Sequence, residues 1–462
     1  MKSYVDLIEQ TFDFPTKEFS IKKNELLFNE VPLMDIIKKY GTPLKITYLP
    51  KIGQQIQYSR KIFNKAIKKF KYEGSYTYCY CTKSSHFRFV LEEVLKNDAH
   101  IETSSAFDIP IIRNLYKNNK IDKNTYIICN GFKRPLYLEN ICGLLNDGFN
   151  CVPIIDNLNE IDAYENVDAE NVNLGIRVAS DEEPNFEFYT SRLGVRYSDV
   201  TQLYREKIAF NPKFTLKMLH FFINTGVRDS AYYWSELSRF LYKYCELKKI
   251  CPELDTIDIG GGFPIKTSLQ FDFDYEYMTE QIIENIQWIC KKSNVPVPNI
   301  FTEFGNFTVG ESGAVIYSVI DQKLQNDKEL WYMIDGSIIT HLPEVWGMNQ
   351  KYIMLPINNW DKMHHKVNLG GLTCDSMDYY NSEMHSSEVF LPMIENDEKL
   401  YIGFFHTGAY QESLGGYGGI QHCLIPAAKH VIIDKDTNGN VVSKLFAEEQ
   451  SHETMLKTLG YS

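Results

Sequence analysis

Several residues that can do chemistry follow short apolar runs of the sequence. Lys83 follows YTYCYC, Glu303 lies within IFTEF, and three glycines, Gly260, Gly261 and Gly262, follow TIDI. A lysine that is partly removed from water has a lowered pKa, so its neutral amine can form a Schiff base. Glycines carry no side chain and let backbone N–H groups approach a phosphate.

Taken together, these residues indicate a site for pyridoxal phosphate. A carboxylate such as Glu303 would bond the pyridine nitrogen and keep it protonated, so that the ring withdraws electrons. Each residue alone has an ordinary explanation as a surface lysine, a turn or a helix cap. Further polar residues stand in or after other apolar runs: Glu102, Arg177, Asn224 and Thr225. If the fold brings all of these residues together at one end of one domain, that grouping would favour a cofactor site.

The elements that would position these residues alternate between short apolar runs and longer helix-capable stretches. Near-continuous apolar strands that alternate with helices are typical of a parallel sheet buried on both faces. Eight such runs within about 230 residues predict a (β/α)8 barrel with its active face at the carboxyl ends of the strands. An open doubly wound sheet is the alternative. The eight runs are 76–81, 100–104, 125–130, 151–156, 173–178, 217–223, 256–260 and 300–304.

The pattern changes after the barrel, where strand-like runs follow one another without long helices between them. These runs and their glycine-rich turns predict an antiparallel β domain that ends in a polar tail over 436–462. Strand-like segments at 25–31 and 43–49 precede a barrel already complete with eight strands, so we expect them to join the β domain. The predicted N-terminal segment, barrel and β domain span 1–49, 50–310 and 311–462.

The composition argues against several other classes of protein. The 462 residues include 48 basic and 60 acidic ones, and a net charge of −12 disfavours a nucleic-acid partner, which needs a basic face. No apolar run reaches the roughly 18–20 residues of a membrane span, and the first residues lack the apolar centre of a signal peptide. We therefore expect a cytoplasmic enzyme with a small-molecule substrate. Ten cysteines without a CxxC pair or zinc-like histidine spacing predict free thiols and no metal.

Five motifs resemble those of the fold-type III pyridoxal-phosphate decarboxylases, the group of the ornithine, arginine and diaminopimelate decarboxylases. They are YCYCTKSSHF, ETSSAFDI, DIGGGFP, GLTCDSMD and HTGAYQ, and the resemblance extends over roughly residues 40–430. It implies an alanine-racemase-like barrel with a C-terminal β domain and bound pyridoxal 5'-phosphate. It also implies a homodimer in which each subunit completes the active site of the other.

The resemblance implies roles for individual residues. Lys83 would carry the cofactor as a Schiff base, Glu303 would hold the pyridine nitrogen, and Tyr410 would contact the phosphate. Cys374 would reach into the partner's site and protonate the α-carbon after carbon dioxide leaves. Asp375 would bind the distal cationic end of the substrate. The other cofactor residues would be Glu102, Arg177, Phe222, Thr225, Gly260, Gly261 and Gly262, and the other substrate residues Asp378 and Glu344.

Structural roles remain open for several of these residues. Cys374 could be a buried thiol, Glu102 a helix cap, and Arg177 part of a salt bridge inside the barrel. We expect His220, near the active face, to be a structural histidine.

Two positions depart from the family pattern. The family's His-Val-Gly-Ser run reads FINT here, so Phe222 replaces a histidine that stacks on the cofactor ring. The Glu-Pro-Gly-Arg motif reads EFGN, so Asn306 replaces an arginine that helps to bind phosphate. We therefore expect weaker cofactor binding unless another group supplies the missing phosphate contact.

The resemblance favours decarboxylation of a basic amino acid, most of all arginine, which would give agmatine for polyamine synthesis. A guanidinium prefers bidentate carboxylates, which Asp375 with Asp378 or Glu344 could supply. Ornithine, lysine, diaminopimelate and carboxynorspermidine are alternative substrates. Glu303 argues against an alanine-racemase-like enzyme, in which an arginine faces the pyridine nitrogen. A catalytically silent relative that binds a partner is the non-enzymatic alternative.

Overall fold

The chain divides into two compact units. The first consists of Met1–Ile52, Ile265–Asp272 and Val309–Ser462, and the second of Gly53–Pro264 and Phe273–Thr308. The computed structural model describes residues 4–7, 14–180, 191–384, 386–395 and 398–461. Among the helices of these residues, none has the apolar length that crossing a bilayer requires.

The N-terminal elements of the first unit form a small sheet and one strand of a larger sheet. They are α1 (Tyr4–Leu7), β1 (Phe19–Lys22), β2 (Glu25–Phe28), β3 (Val31–Pro32), α2 (Leu33–Tyr40) and β4 (Leu44–Tyr48). Strand β2 pairs antiparallel with both β1 and β3. The strand-like run predicted over 25–31 forms two short strands, β2 and β3, because Asn29 and Glu30 take left-handed φ angles of 49° and 68° and reverse the chain between them.

The second unit is built on parallel strands. They are β5 (Tyr76–Cys81), β6 (His100–Thr103), β7 (Ile127–Cys129), β8 (Cys151–Ile155), β9 (Val172–Ala179), β10 (Val195–Arg196), β11 (Phe214–His220), β12 (Thr256–Asp258) and β13 (Asn299–Phe304). Eight of them close a barrel in the order β5-β6-β7-β8-β9-β11-β12-β13, because β13 pairs with β5 and β8 pairs with β9, while β10 extends β9 alone. The predicted (β/α)8 barrel is confirmed, and its closure excludes an open doubly wound sheet.

Helices precede, connect and follow these strands. They are α3 (Leu49–Phe70), α4 (Arg88–Leu95), α5 (Asp108–Lys117), α6 (Pro135–Asn146), α7 (Tyr197–Leu203), α8 (Ala231–Lys248), α9 (Tyr275–Ser293) and α10 (Asn306–Val309). Their ends follow from local side chains. Ser230 accepts a hydrogen bond from the Tyr233 amide at the start of α8, and Asp274 does the same for Tyr277 at the start of α9.

The carboxyl ends of the barrel strands carry a set of polar side chains. The sixth barrel strand, predicted over 217–223, ends at His220, and Phe221 beyond it stacks on Phe240 with ring centroids 5.0 Å apart. A histidine therefore occupies the end of that strand. The polar residues in or directly after the strands include Glu102, Asn130, His220, Asp258 and Glu303.

The C-terminal part of the first unit is a β domain. Its elements are β14 (Gly313–Gln325), β15 (Glu329–Ile334), α11 (Ile338–His341), α12 (Pro343–Met348), β16 (Ile353–Pro356), β17 (His364–Gly370), β18 (Tyr379–Tyr380), β19 (Val389–Pro392), β20 (Tyr401–Phe405), α13 (Gln411–Gly415), β21 (Lys429–Lys435), β22 (Val441–Ala447) and α14 (His452–Thr458). N-terminal β4 pairs with β14 and β21, as the prediction for 43–49 required.

Two features of this domain differ from the prediction. The sheet is mixed rather than antiparallel, since β4 runs parallel to β21 and β15 parallel to β17. The C-terminal tail is structured, because β22 pairs antiparallel with β21 along its length. Along β22 half-buried residues alternate with exposed ones, as in a strand with one face towards solvent.

Candidate active site

Lys83 lies in a single turn of 3-10 helix, Thr82–Ser84, directly after β5. Its Nζ donates a hydrogen bond to Oε2 of Glu102 at 3.1 Å. The Glu102 side chain is fully buried, whereas 46% of the Lys83 side chain is exposed. The amine is thus anchored by a buried carboxylate and accessible from the barrel mouth. Glu102 lies inside β6, which excludes the helix-capping interpretation.

Asn130, directly after β7, links two buried carboxylates. Its Nδ2 lies 3.1 Å from Oε1 of Glu102 and 2.6 Å from Oε1 of Glu303. The amine of Lys83 is therefore connected to Glu303 through two side chains. The sequence analysis missed Asn130, although its position after the third barrel strand is the signal that identified the other rim residues.

His220 and Asp258 complete the surroundings of Glu303. His220 Nε2 lies 3.1 Å from Glu303 Oε2, and one ligand-type atom from each of the three residues lies within 4.8 Å of the others. Burial favours a neutral Glu303, but the charge of His220, its hydrogen bond and the charge of Lys83 lower the pKa of Glu303 to about 2. His220, expected to be only structural, is therefore part of this site.

The pKa of the buried acid Asp258 is shifted in the opposite direction. Burial and then the negative charge of Glu303 raise the pKa of Asp258 well above its usual value. Its Oδ1 accepts a hydrogen bond from the Gly260 amide at 2.8 Å. The pKa values of these two neighbouring buried acids are thus shifted in opposite directions.

The glycine run allows three stretches of backbone to meet at the barrel mouth. Gly260 and Gly262 have φ angles of 68° and 108°, which favour glycine. A Cβ on Gly261 would lie 2.2 Å from the Glu303 carbonyl oxygen, and one on Gly262 would lie 2.7 Å from Cα of Gly226. Side chains here would separate the turn from β13 and from the loop after β11.

The residues at this mouth fit pyridoxal phosphate. The Oγ1 atom of Thr225 is buried and has no hydrogen-bond partner within the described part of the chain. It adjoins Gly226, which packs on the glycine turn, so a hydroxyl donor and a backbone turn are available for a phosphate. Lys83 supplies the amine and Glu303 a charged carboxylate for the pyridine nitrogen.

Phe222 and Arg177 line the same mouth. The guanidinium carbon of Arg177 lies 5.6 Å from the centroid of the Phe222 ring, a cation–π contact. Phe222 is 38% exposed, so part of its ring faces the solvent. The arginine thus holds an aromatic ring at the position where the family pattern has a histidine.

Further predicted site residues belong to the β domain and the loop between β17 and β18. Cys374 is exposed, which excludes the buried-thiol interpretation. Its Sγ lies 3.5 Å from Sγ of Cys423. A hydrogen bond with the Cys423 thiol, and then its charge, raise the pKa of Cys374 above that of an ordinary thiol. Asp375 is half-buried, and its Oδ1 accepts from the amide of Met377 at 2.8 Å.

Asp378 holds this loop in place. It is buried, and its two carboxylate oxygens accept from the Ile338 amide at 2.7 Å and from the amide and hydroxyl of Thr373 at 3.0 and 2.7 Å. These bonds engage the carboxylate that the sequence analysis assigned to substrate. Asp378 therefore positions the loop that carries Cys374, rather than offering free oxygens to a ligand.

Glu344 and Tyr410 lie on two other segments of the β domain. Glu344 Oε2 accepts from the hydroxyl of Tyr352 at 2.7 Å and from Nε2 of Gln411 at 2.6 Å. Tyr410 has a φ of 67° and immediately precedes α13. Gln411 thus connects the Glu344 side chain to the segment that contains Tyr410.

A closed barrel with an amine, a charged buried carboxylate and a glycine turn at its strand ends defines the class of pyridoxal-phosphate enzymes with an alanine-racemase-like barrel. The sequence profile of the pyridoxal-binding domain of pyridoxal-dependent decarboxylases matches residues 57–310, more than half of the chain. The chain belongs to this family of decarboxylases.

Individual relatives match nearly the whole chain. Biosynthetic arginine decarboxylase of Prochlorococcus marinus is 23% identical over 97% of this chain and 87% of its own length. Arginine decarboxylase 1 of Arabidopsis thaliana is 20% identical over 94% of this chain and 77% of its own length.

Solved structures show the same fold. Biosynthetic arginine decarboxylase from Campylobacter jejuni has a TM-score of 0.81 at 20% identity and covers 97% of this chain and 89% of its own. Diaminopimelate decarboxylase from Helicobacter pylori has a TM-score of 0.72 at 16% identity, with coverages of 93% and 99%. The fold is therefore shared by decarboxylases with different substrates.

Proposed function

We propose that this chain decarboxylates L-arginine to agmatine and carbon dioxide, with pyridoxal 5'-phosphate, as a step in polyamine synthesis. The observation that carries the decarboxylase chemistry is the chain of contacts from Lys83 through Glu102 and Asn130 to the charged Glu303. Similarity to arginine decarboxylases along almost the whole chain supports arginine over other basic amino acids.

The barrel residues would hold the cofactor and set its charge. Lys83 would bind it covalently through Nζ, and Thr225 with the glycine turn would hold its phosphate. When bound, pyridoxal phosphate supplies an electron sink for the carbanion that remains as carbon dioxide leaves. Glu303 would keep a proton on the pyridine nitrogen, and His220 and Asn130 would fix the direction of that carboxylate.

Cys374 and Asp375 would act on the substrate from a second copy of the chain. A protonated thiol can return a proton to the α-carbon, and Cys374 is exposed with a raised pKa. The half-buried Asp375 can bind a guanidinium, and Glu344 offers a second carboxylate in the same domain. We infer a homodimer with shared active sites, working in the cytoplasm.

The substrate assignment is tested with the purified holoenzyme. It is incubated separately with arginine, ornithine, lysine, diaminopimelate and carboxynorspermidine, and both carbon dioxide and the amine product are measured. We expect agmatine as the main product. If the enzyme prefers another of these amino acids, the substrate assignment changes from arginine to that amino acid. If none of them is turned over, the catalytically silent alternative is favoured.

The covalent anchor is tested by Lys83→Ala, with Lys61→Ala on the exposed face of α3 as the matched control. The wild type and the control are expected to show the Schiff-base absorbance band, and Lys83→Ala to lack both the band and activity. Persistence of the band in Lys83→Ala would refute the assignment.

Shared sites are tested by mixing two inactive variants, Lys83→Ala and Cys374→Ala. If each site takes Lys83 from one subunit and Cys374 from the other, half of the randomly mixed dimers carry one intact site. Re-equilibrated mixtures should then recover about a quarter of wild-type activity. Recovery of none would argue against sites shared in this way.

A further inference from the structure

Three exposed side chains of the β domain form a cluster of metal-binding type. Cys374 lies on the loop between β17 and β18, and His422 and Cys423 lie in a short turn, His422–Leu424. One ligand atom of each lies within 4.8 Å of the other two. The cluster thus brings two thiols and one imidazole together from sequence positions about fifty residues apart.

The distance between the two sulfur atoms matches a shared metal ion. Two thiolates that bind one tetrahedral zinc ion at about 2.3 Å lie roughly 3.8 Å apart. The Sγ atoms of Cys374 and Cys423 are 3.5 Å apart. A disulfide requires about 2.05 Å, so the two sulfurs would have to move much closer together to form one. Two sulfurs and one nitrogen form a ligand set that binds zinc in preference to magnesium or calcium.

Both segments that carry the ligands are held by hydrogen bonds. Asp378 ties the loop of Cys374 to the start of α11 through the Ile338 amide. In the other segment the Leu424 amide donates to the Gln421 carbonyl at 3.0 Å, and Gln421 Nε2 donates to the Gly415 carbonyl at 2.9 Å. Ligands held in place before binding lose less conformational freedom when the ion arrives.

We propose that Cys374, His422 and Cys423 bind one zinc ion, with a water molecule as the fourth ligand. Binding replaces the two thiol protons, which leave to solvent, and two thiolates balance the charge of the ion. If the proposed function holds, the ion also removes Cys374 from proton transfer, so zinc would inhibit decarboxylation reversibly. The cluster is therefore a soft-metal site in a chain whose cysteine spacing predicts none.

The test measures metal binding on the reduced holoenzyme, separately from activity. Zn²⁺ affinity is measured by competition with a chromophoric chelator, and Co²⁺ is used for its visible bands, which report tetrahedral thiolate ligation. Cys423→Ser and His422→Asn are compared with Cys142→Ser, a half-buried thiol outside the cluster. We expect one Zn²⁺ per chain and at least about a hundredfold weaker binding in both cluster variants, with no change in the control.

Equal Zn²⁺ affinity in Cys423→Ser and the wild type would overturn the proposal, as would the absence of tetrahedral Co²⁺ bands. Activity is a separate measurement: zinc should inhibit the wild type, a chelator should restore it, and Cys423→Ser should resist inhibition. If zinc binds as expected but no amino acid is decarboxylated, the metal site stands and the proposed function fails.

Discussion

The barrel mouth and the β domain each bury a glutamate, and the two carboxyls have opposite charge states. Glu303 at the barrel mouth has a pKa lowered to about 2, whereas burial raises the pKa of Glu383 in the β domain to about 8. Both residues are less than a tenth exposed. Burial alone therefore does not determine the charge of a carboxyl group.

The difference lies in the neighbouring groups. Glu303 receives hydrogen bonds from His220 and Asn130 and lies within the field of the Lys83 amine. Glu383 accepts from the Met354 amide at 3.0 Å, and the cost of removing its charge from water dominates its pKa. Charge is thus maintained where cationic side chains converge, which is the arrangement expected of a catalytic site.

The largest expected effect is a loss of activity when the glutamate at the barrel mouth is changed to glutamine. The same substitution in the β domain is the comparison. Glu303→Gln keeps the shape of the side chain but removes its charge, and should lower kcat/KM at least about a hundredfold. Glu383→Gln should leave kcat/KM within twofold of the wild type at pH 7. Steady-state kinetics with arginine measures both. Comparable losses in the two variants would mean that the effect at Glu303 comes from disrupted packing.

The sequence predicted the barrel and much of this site because both depend on local patterns. Apolar runs located the eight strands, and the strand-end rule located Lys83, Glu102 and Glu303. The same rule applied to the third strand would have found Asn130. His220 was misjudged because the predicted strand ran three residues too far, which moved the expected strand end beyond it.

Other features depend on contacts between distant segments, which no local pattern carries. Cys374 and Cys423 are 49 residues apart, and nothing in either neighbourhood indicates that their sulfurs meet. Asp378 likewise looks like an available acid in the motif. Only the fold places the Ile338 amide against its carboxylate.

The second prediction concerns stability and uses the pH dependence of Glu383. A carboxyl whose pKa rises from 4.5 unfolded to about 8 folded binds its proton more tightly when folded. Its contribution to stability is therefore full below pH 4.5 and is lost as the pH rises towards 8. As the pH rises from 5 to 9, the free energy of unfolding of Glu383→Gln should increase relative to that of the wild type, by at most about 5 kcal/mol.

Denaturant unfolding of the wild type and Glu383→Gln at both pH values measures this difference. Glu344→Gln serves as the control, since Glu344 is a β-domain carboxyl that is not fully buried. If the gap between the wild type and Glu383→Gln were the same at pH 5 and pH 9, Glu383 would not be neutral in the folded protein.

A smaller effect is expected at His220, which acts through Glu303. His220→Gln should lower kcat about tenfold, because one orienting bond and one nearby charge are lost. The double variant with Glu303→Gln should be no slower than Glu303→Gln alone, since residues in one network are not additive. Kinetics of the two single variants and the double variant measure this coupling. Additive losses would show that His220 acts independently of Glu303.

The smallest effect is expected at Phe222, where this chain departs from its family. Truncation by Phe222→Ala removes a ring that can stack on the cofactor, a loss of about 1 kcal/mol or roughly fivefold in cofactor Kd. Phe222→His keeps a flat ring and should bind within about twofold of the wild type, with Arg177 nearby favouring the neutral imidazole. Cofactor titration of the apoenzyme followed by absorbance measures both, with exposed Phe210→Ala as the control. If Phe222→Ala and the wild type bind the cofactor with equal affinity, the ring does not stack on the cofactor and only packs against Arg177.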